Sequence, residues 1–297
     1  MEHYDKLLQR FMSHGHGLIE LKGAFMNRRR VIEWTLAVCF FSWVASLAAE
    51  NTGQIIQGDD VERFLTQAKV VRQQGIPLGV TLPKKLTLEL DGTRQFAAFK
   101  VIDEGPVPTK QLDRGIELQF QDSWRTEVAA YELDKLIGLG MVPATIERTI
   151  DGKHGSVQFW IVSKMDEEQR LKQKLSAPNP IAWNQQVAKM RIWDNLIYNT
   201  DRNLGNILIT DDWKIRLIDH SRTFRPFDQL KDPKVPATFS RSLLAKLEAL
   251  TEPTLKEHLG KYLTPYQIQG LLKRRDAILA RANELIEEKG SGAVLYQ

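Results

Sequence analysis

The stretch from Asn199 to Ser221 limits what this chain can fold into more than any other. Asn199-Thr200-Asp201-Arg202-Asn203-Leu204-Gly205-Asn206 is a polar loop at the end of a helix-like segment. It runs into Ile207-Leu208-Ile209, turns at Asp211-Asp212, and returns through Ile215-Arg216-Leu217-Ile218 to Asp219. Two short apolar runs around such a turn read as paired strands. The hairpin would bring Asp201 and Asp219 together, with Asn206 between them. Phosphoryl transfer needs this inventory. One carboxylate orients or deprotonates the attacking hydroxyl, while an amide oxygen and a second carboxylate hold Mg2+ against the phosphates.

Taken singly, an Asp-Arg pair is most often a capped turn or a surface ion pair. The weight comes from further elements in the right order. Arg94 to Lys100 reads as a strand ending on a lysine, and Ser123 can cap a helix over 124–137 that carries Glu127. In protein kinases a strand lysine contacts the nucleotide phosphates and is held by a helix glutamate. Lys100 fits the first role and Glu127 the second. Glu132 competes with Glu127 from a different face of the helix. Where a glycine-rich phosphate loop is expected, the chain has Gly79-Val80-Thr81-Leu82-Pro83-Lys84-Lys85. Its amides, Thr81 and Lys84 are the candidates to grip the nucleotide, although Pro83 removes one donor.

The segment resembles the catalytic and metal loops of phosphatidylinositol kinases, HipA-like bacterial kinases and secretory-pathway protein kinases. Asp201 and Asn206 have the separation of the catalytic Asp and metal-binding Asn of protein kinases. Asn-Thr-Asp-Arg followed by Gly-Asn is most like the phosphoinositide group. The resemblance implies an atypical kinase fold using ATP and Mg2+. It makes Asp201 catalytic, Asn206 and Asp219 metal ligands, and Lys100, held by Glu127, the phosphate contact. No His precedes Asp201, and His220-Ser221 stand where ordinary kinases have Phe-Gly.

The expected class is α+β, a two-lobed protein-kinase-like fold: a β-rich N-lobe over 50–165 with one key helix, and a mainly helical C-lobe over 166–297. Apolar spacing suggests a helix over 59–73. Asp91-Gly92 joins strands over 85–90 and 94–102, and Asp151-Gly152 joins strands over 142–150 and 156–163. Residues 103–115 read as a Pro/Gly-rich loop and 116–120 as a short strand. Helices follow over 183–198, 241–250, 254–259 and 264–288. Tyr131, Trp183 and Trp193 fall at core spacings. Trp160 to Val162 sit at the lobe junction, where core packing and an adenine-pocket lining are both open.

The formal charge is +4 over 297 residues. Without the first 49 residues, which hold six basic and four acidic groups, it is +2. That balance offers no basic surface for nucleic acid. The single cysteine, Cys39, lies in an apolar run, so the folded domain has no thiol nucleophile and no cysteine zinc site. Arg28-Arg29-Arg30 precedes uncharged residues 34–49, which end in small side chains before Glu50. Residues 26–49 thus read as a signal peptide or, over 31–49, as a membrane anchor close to the ~20 residues a bilayer needs. Residues 1–25 read as a leader, with Met26 as an alternative start. Both forms put residues 50–297 outside the cytoplasm, with membrane association through 31–49. A misread N-terminal segment would leave the domain cytoplasmic. Expected partners are a nucleotide and a hydroxyl acceptor: a protein Ser/Thr, a lipid headgroup or a small alcohol. The alternative is a catalytically inactive, kinase-like binding module at the cell envelope.

Overall fold

The computed structural model describes residues 55–76, 83–113, 115–234 and 237–297. The leader, the segment at 26–49, Cys39 and Thr81 lie outside the described residues.

Helix α1, Asp59–Gln67, opens with Asp59, Asp60 and Glu62, which suit the positive end of the helix dipole. It stops six residues short of the expected end. Ala68 is extended, and Lys69–Gly75 forms strand β1 instead. The apolar stripe through Leu65 ends at Ala68. Beyond it, Val70 and Val71 favour a pleated surface, and β1 pairs antiparallel along β2, Lys84–Leu90. Asp91 and Gly92, both at positive φ, turn β2 into β3, Thr93–Lys100, as two-residue hairpins require.

The expected loop at 103–115 is a second correction. Asp103–Leu112 is strand β4, paired antiparallel with β5, Gly115–Ser123. Pro106 and Pro108 do not prevent this, because β4 is an edge strand of a two-stranded ribbon. An edge tolerates missing N–H donors.

Ser123 is extended and accepts the N–H of Arg125, which starts helix α2, Trp124–Ile137. Gly138, at φ 64°, ends it in the left-handed position that glycine occupies without a Cβ clash. The helix is buried on almost every side, and the Asp134 carboxylate accepts the N–H groups of Gly140, Met141 and Val142. Strands β6, Thr145–Ile150, and β7, Lys153–Phe159, complete a five-stranded sheet of order β1-β2-β3-β7-β6. A Cβ on Gly155 would fall 2.1 Å from the Lys100 carbonyl oxygen. Glycine there lets β7 lie close against the end of β3.

Strand β8, Met165–Asp166, leads into α3, Glu167–Lys172, a short helix the pattern did not suggest, held by an Asp166/Gln169 capping box. Asn179 caps α4, Pro180–Leu196. A 3-10 turn at Leu204–Asn206 precedes β9, Ile207–Ile209, and β10, Ile215–Leu217, which pair antiparallel as expected. Strand β11, Phe239–Ser240, and helices α5, Arg241–Glu248, α6, Glu252–Leu259, and α7, Pro265–Lys289, follow. After α8, Ser291–Val294, strand β12, Leu295–Tyr296, pairs parallel with β11. Tyr131, Trp183 and Trp193 are buried in the core. The architecture is the expected α+β one: a β-rich lobe with one inner helix, and a mainly helical lobe.

Candidate functional site

The centre of the site is Lys100, the last residue of β3. Its ammonium donates to Glu127 Oε1 at 2.5 Å and to Asp219 Oδ1 at 2.7 Å. Three distant segments meet there: a strand end, the first turn of α2, and the residue two places after β10. Glu127 is buried, Lys100 largely so, and Asp219 partly open to solvent. Glu132, the competitor, pairs with Lys135 at 3.0 Å instead. Burial opposes the Lys100 charge, but Glu127 and Asp219 outweigh it and raise its pKa. Burial also raises the Glu127 carboxyl against the pull of Lys100. For Asp219 burial works upward too, yet Lys100 prevails and holds it below the usual carboxylate range.

Asp219 reaches Lys100 because it leaves the strand conformation. Its φ is 60°, a left-handed region that Asp enters more readily than most residues. That turn exposes the carboxylate and sends His220 inward. The imidazole is fully buried. Its Nε2 accepts from Trp193 Nε1 at 3.2 Å and from Arg202 Nη2 at 3.0 Å. Its backbone N–H donates to Glu127 Oε2 at 3.0 Å.

The polar loop is fixed by its own side chains. Asn199 Oδ1 accepts the Asp201 N–H at 2.9 Å, and Asn203 Oδ1 accepts that of Asn206 at 3.1 Å. Arg202 holds Asp194 through Nε and Nη2 and donates to the carbonyl of Ile218 at 2.8 Å. The Ile218 N–H donates to the Asn206 carbonyl at 3.2 Å, so Asn206 lies beside the residue preceding Asp219. Asp201 is half-buried, with Arg222 Nη1 3.6 Å from its Oδ2. Of the phosphate-loop candidates, Lys84 opposes Phe99 and donates to Gln73 Oε1 at 3.0 Å.

Two acidic residues of this region escaped the sequence reading. Asp122, just before the α2 cap, lies close to Asp219, Lys100, Ser221 and Arg222. Burial raises its carboxyl, opposed by the Ser221 hydroxyl and aided by the Asp219 charge. Its Oδ1 is buried without a hydrogen-bond partner. Glu117, on β5, binds Arg222 and lies 2.5 Å from Arg225 Nη2, and it accepts from Thr200 Oγ1 at 3.3 Å. It thereby ties the β4–β5 ribbon to both ends of the segment from Thr200 to Arg222. Neither residue belongs to a local motif, so only the fold identifies them.

The oxygen donors suit a hard cation. Asn206 Nδ2 is turned to the Asp201 carbonyl at 3.4 Å, which leaves the amide oxygen to a ligand. Asp219 has the carboxylate of Asp122 near it, and Asp122 Oδ1 is buried without a hydrogen-bond partner. Among the described residues no group of three or more His, Cys, Asp or Glu is placed to hold a metal. Mg2+ does not ask for one, since it is bound through one or two carboxylates plus substrate phosphates and water.

The buried imidazole carries a testable pH dependence. Burial first, then Arg202 and Lys100, push the native His220 pKa well below 6.5. Below its ordinary value the unfolded ring takes a proton that the native ring refuses. Acid therefore favours unfolding by about 1.4 kcal/mol per pH unit from this group. Stability from urea midpoints should fall more steeply with acid below pH 6.5 in the native chain than in His220→Phe. Parallel pH profiles would remove His220 as the source.

Strand lysine, inner-helix glutamate and hairpin aspartate, brought together by these two lobes, define a kinase-like fold. No family model matches the chain, and no curated protein matches it in sequence. Among solved structures it is similar to Fam20 from hydra, solved with sugar, at 15% identity and a TM-score of 0.61, covering 80% of this chain and 91% of that one. A second neighbour is the Helicobacter pylori proinflammatory kinase CtkA, at 14% identity and a TM-score of 0.47, covering 76% and 98%.

Proposed function

We propose that the chain is an ATP- and Mg2+-dependent phosphotransferase that moves the γ-phosphate to a hydroxyl acceptor. The observation that carries this reading is Lys100 held between Glu127 at 2.5 Å and Asp219 at 2.7 Å. A largely buried ammonium with two carboxylates from different elements, one of them partly open to solvent, suits a polyphosphate and its counterion. Asn206 and Asp219 would hold Mg2+, which supplies charge neutralisation at the phosphates. Lys100 binds phosphate oxygen, and Glu127 keeps the ammonium in place. Asp201 orients the acceptor hydroxyl and takes its proton as the acceptor oxygen bonds to the γ-phosphorus. The bond from that phosphorus to the β–γ bridging oxygen breaks, and ADP leaves with the electron pair. Thr81 and Lys84 belong to this proposal as further phosphate contacts. So do the closer likeness to phosphatidylinositol and HipA-like kinases, the location outside the cytoplasm, association with a membrane through 31–49, and the absence of nucleic acid among the partners.

The test is thermal melting of the purified chain with ATP and Mg2+, singly and together. A ligand that binds only the native state raises the melting temperature, and at a hundredfold excess over Kd contributes about 2.7 kcal/mol. The expected result is a rise that needs both components and is lost in Asp219→Ala. A rise that survives Asp219→Ala removes Asp219 from the metal site. A Mg2+-dependent rise without phosphate transfer to any acceptor or to water would favour the inactive binding module.

A further inference from the structure

The five-stranded sheet has two faces, and Lys100 marks one of them. Alternate residues of a strand share a face. Phe96 and Ala98 therefore lie with Lys100, while Ala97 and Phe99 are buried on the other side. Cross-strand partners share a face as well. Lys85 of β2 and Gln158 of β7 both oppose Ala98, so the three form one row across the sheet. Phe96 stands in the next row, where the chain leaves β7: the Trp160 N–H donates to the Phe96 carbonyl at 3.0 Å. The Lys85 ammonium lies 4.2 Å from the centroid of the Phe96 ring and 4.2 Å from that of Trp160.

Along β3, Ala98 is about 7 Å from Lys100 and Phe96 about 13 Å. A nucleotide with its phosphates on Lys100 can lay its base against Ala98, whose methyl leaves room for a planar ring. Neighbouring strands are about 4.8 Å apart, so Lys85 and Gln158 flank that ring from either side. Their chemistries differ. Lysine only donates. Gln158 Nε2 donates to Thr145 Oγ1 at 2.9 Å, which leaves the amide oxygen to accept. The purines differ in the same terms: guanine presents O6 and N7, both acceptors, whereas adenine presents the N7 acceptor and the N6 amine, a donor. Lysine pairs with the guanine O6 and N7, and an amide oxygen can take the adenine amine.

We propose that Lys85 is a base-specificity residue: held between Phe96 and Trp160 beside the base, it donates to the carbonyl oxygen of a 6-oxopurine, so that the site takes GTP and ITP as well as ATP. The inference rests on the phosphotransferase reading only for the placing of the phosphates on Lys100. An apolar side chain at residue 85 would pack on either purine without telling them apart. An exposed lysine samples many rotamers, but two aromatic faces hold this ammonium in one place, so its donors keep one direction.

The test is calorimetric titration of the full chain with ATP, GTP and ITP, each with Mg2+. All three should bind, with the Kd values of GTP and ITP within about tenfold of that of ATP. ITP carries O6 without the guanine amine, so it isolates the carbonyl. Lys85→Leu should weaken GTP and ITP on the order of tenfold or more, the size of one lost base contact, and ATP by less than about threefold. Lys85→Arg keeps the donors and should retain most of the GTP affinity. The readout is a ratio within one variant, so a partly unfolded sample lowers the active fraction for all three nucleotides and leaves the ratio intact. ATP binding without GTP and ITP in the wild-type chain overturns the proposal, whether or not the leucine variant folds. Equal weakening of all three in Lys85→Leu overturns it too, since Lys85 would then serve the shared ribose and phosphates. Binding of no nucleotide at all removes the reading of the site as a nucleotide receptor, and this inference with it. Binding of all three without phosphate transfer removes the phosphotransferase reading alone, and the base ratios still decide the role of Lys85.

Discussion

Replacing Glu127 with Ala is expected to destabilise the fold by about 3–5 kcal/mol. The carboxylate is buried and holds Lys100 at 2.5 Å through one oxygen, while the other accepts the His220 N–H at 3.0 Å. Its loss leaves an ammonium in the interior facing only Asp219, and leaves a buried N–H without its acceptor. Both are costs of stranding a polar group, which exceed the net worth of the contact itself. The distinguishing test is a double-mutant cycle by urea denaturation. Lys100→Met in the Glu127→Ala background should recover part of the loss, because the stranded charge goes with it. If the two losses simply add, the pair is not coupled and the geometry is not that of the native state. Neutral pH is the right condition. The native Lys100 pKa is raised, so its stabilisation is complete below the ordinary lysine value, near 10.4, and fades only as pH climbs through the native one.

The same cluster shows what a one-dimensional reading can carry. The Asp201–Asn206–Asp219 hairpin was legible because everything that forms it is local: an Asx-rich loop, two apolar triplets and an Asp-Asp turn. The helix with Glu127 was legible for the same reason, from Ser123 at one end to Gly138 at the other. Strand β1 was not. Val70 and Val71 continue a helical stripe just as well, and only the open edge of β2 turns them into a strand. The β4–β5 ribbon hid behind Pro106 and Pro108, which read as loop until the strand is known to be an edge. Asp122 and Glu117 have no spacing rule to announce them. They matter because the ribbon folds back over Arg222 and Thr200, a relation between residues 83 to 105 positions apart. His220 stood out as a departure from the kinase pattern, but the direction of its proton needed the positions of Trp193 and Arg202.

Asp201→Asn is expected to lower phosphate transfer by about 10²–10⁴-fold, the usual contribution of a positioned proton acceptor. Nucleotide binding and the melting temperature should be nearly unchanged. Other groups of the loop also hold it: Asn199 Oδ1 accepts the backbone N–H of Asp201, and Arg202 pins the following turn to Asp194 and to the Ile218 carbonyl. Arg222, 3.6 Å from Asp201 Oδ2, keeps its bond to Glu117 when that carboxylate becomes an amide. An amide of the same shape still orients a hydroxyl but does not take its proton. The contrast with Asp219→Ala is the diagnostic. One variant should bind and not turn over, and the other should do neither. Full turnover in Asp201→Asn would move the proton acceptor elsewhere. Asp122 would then be the next group to examine, since burial keeps its carboxyl raised beside Asp219, where it can exchange a proton closer to neutral pH than an ordinary aspartate.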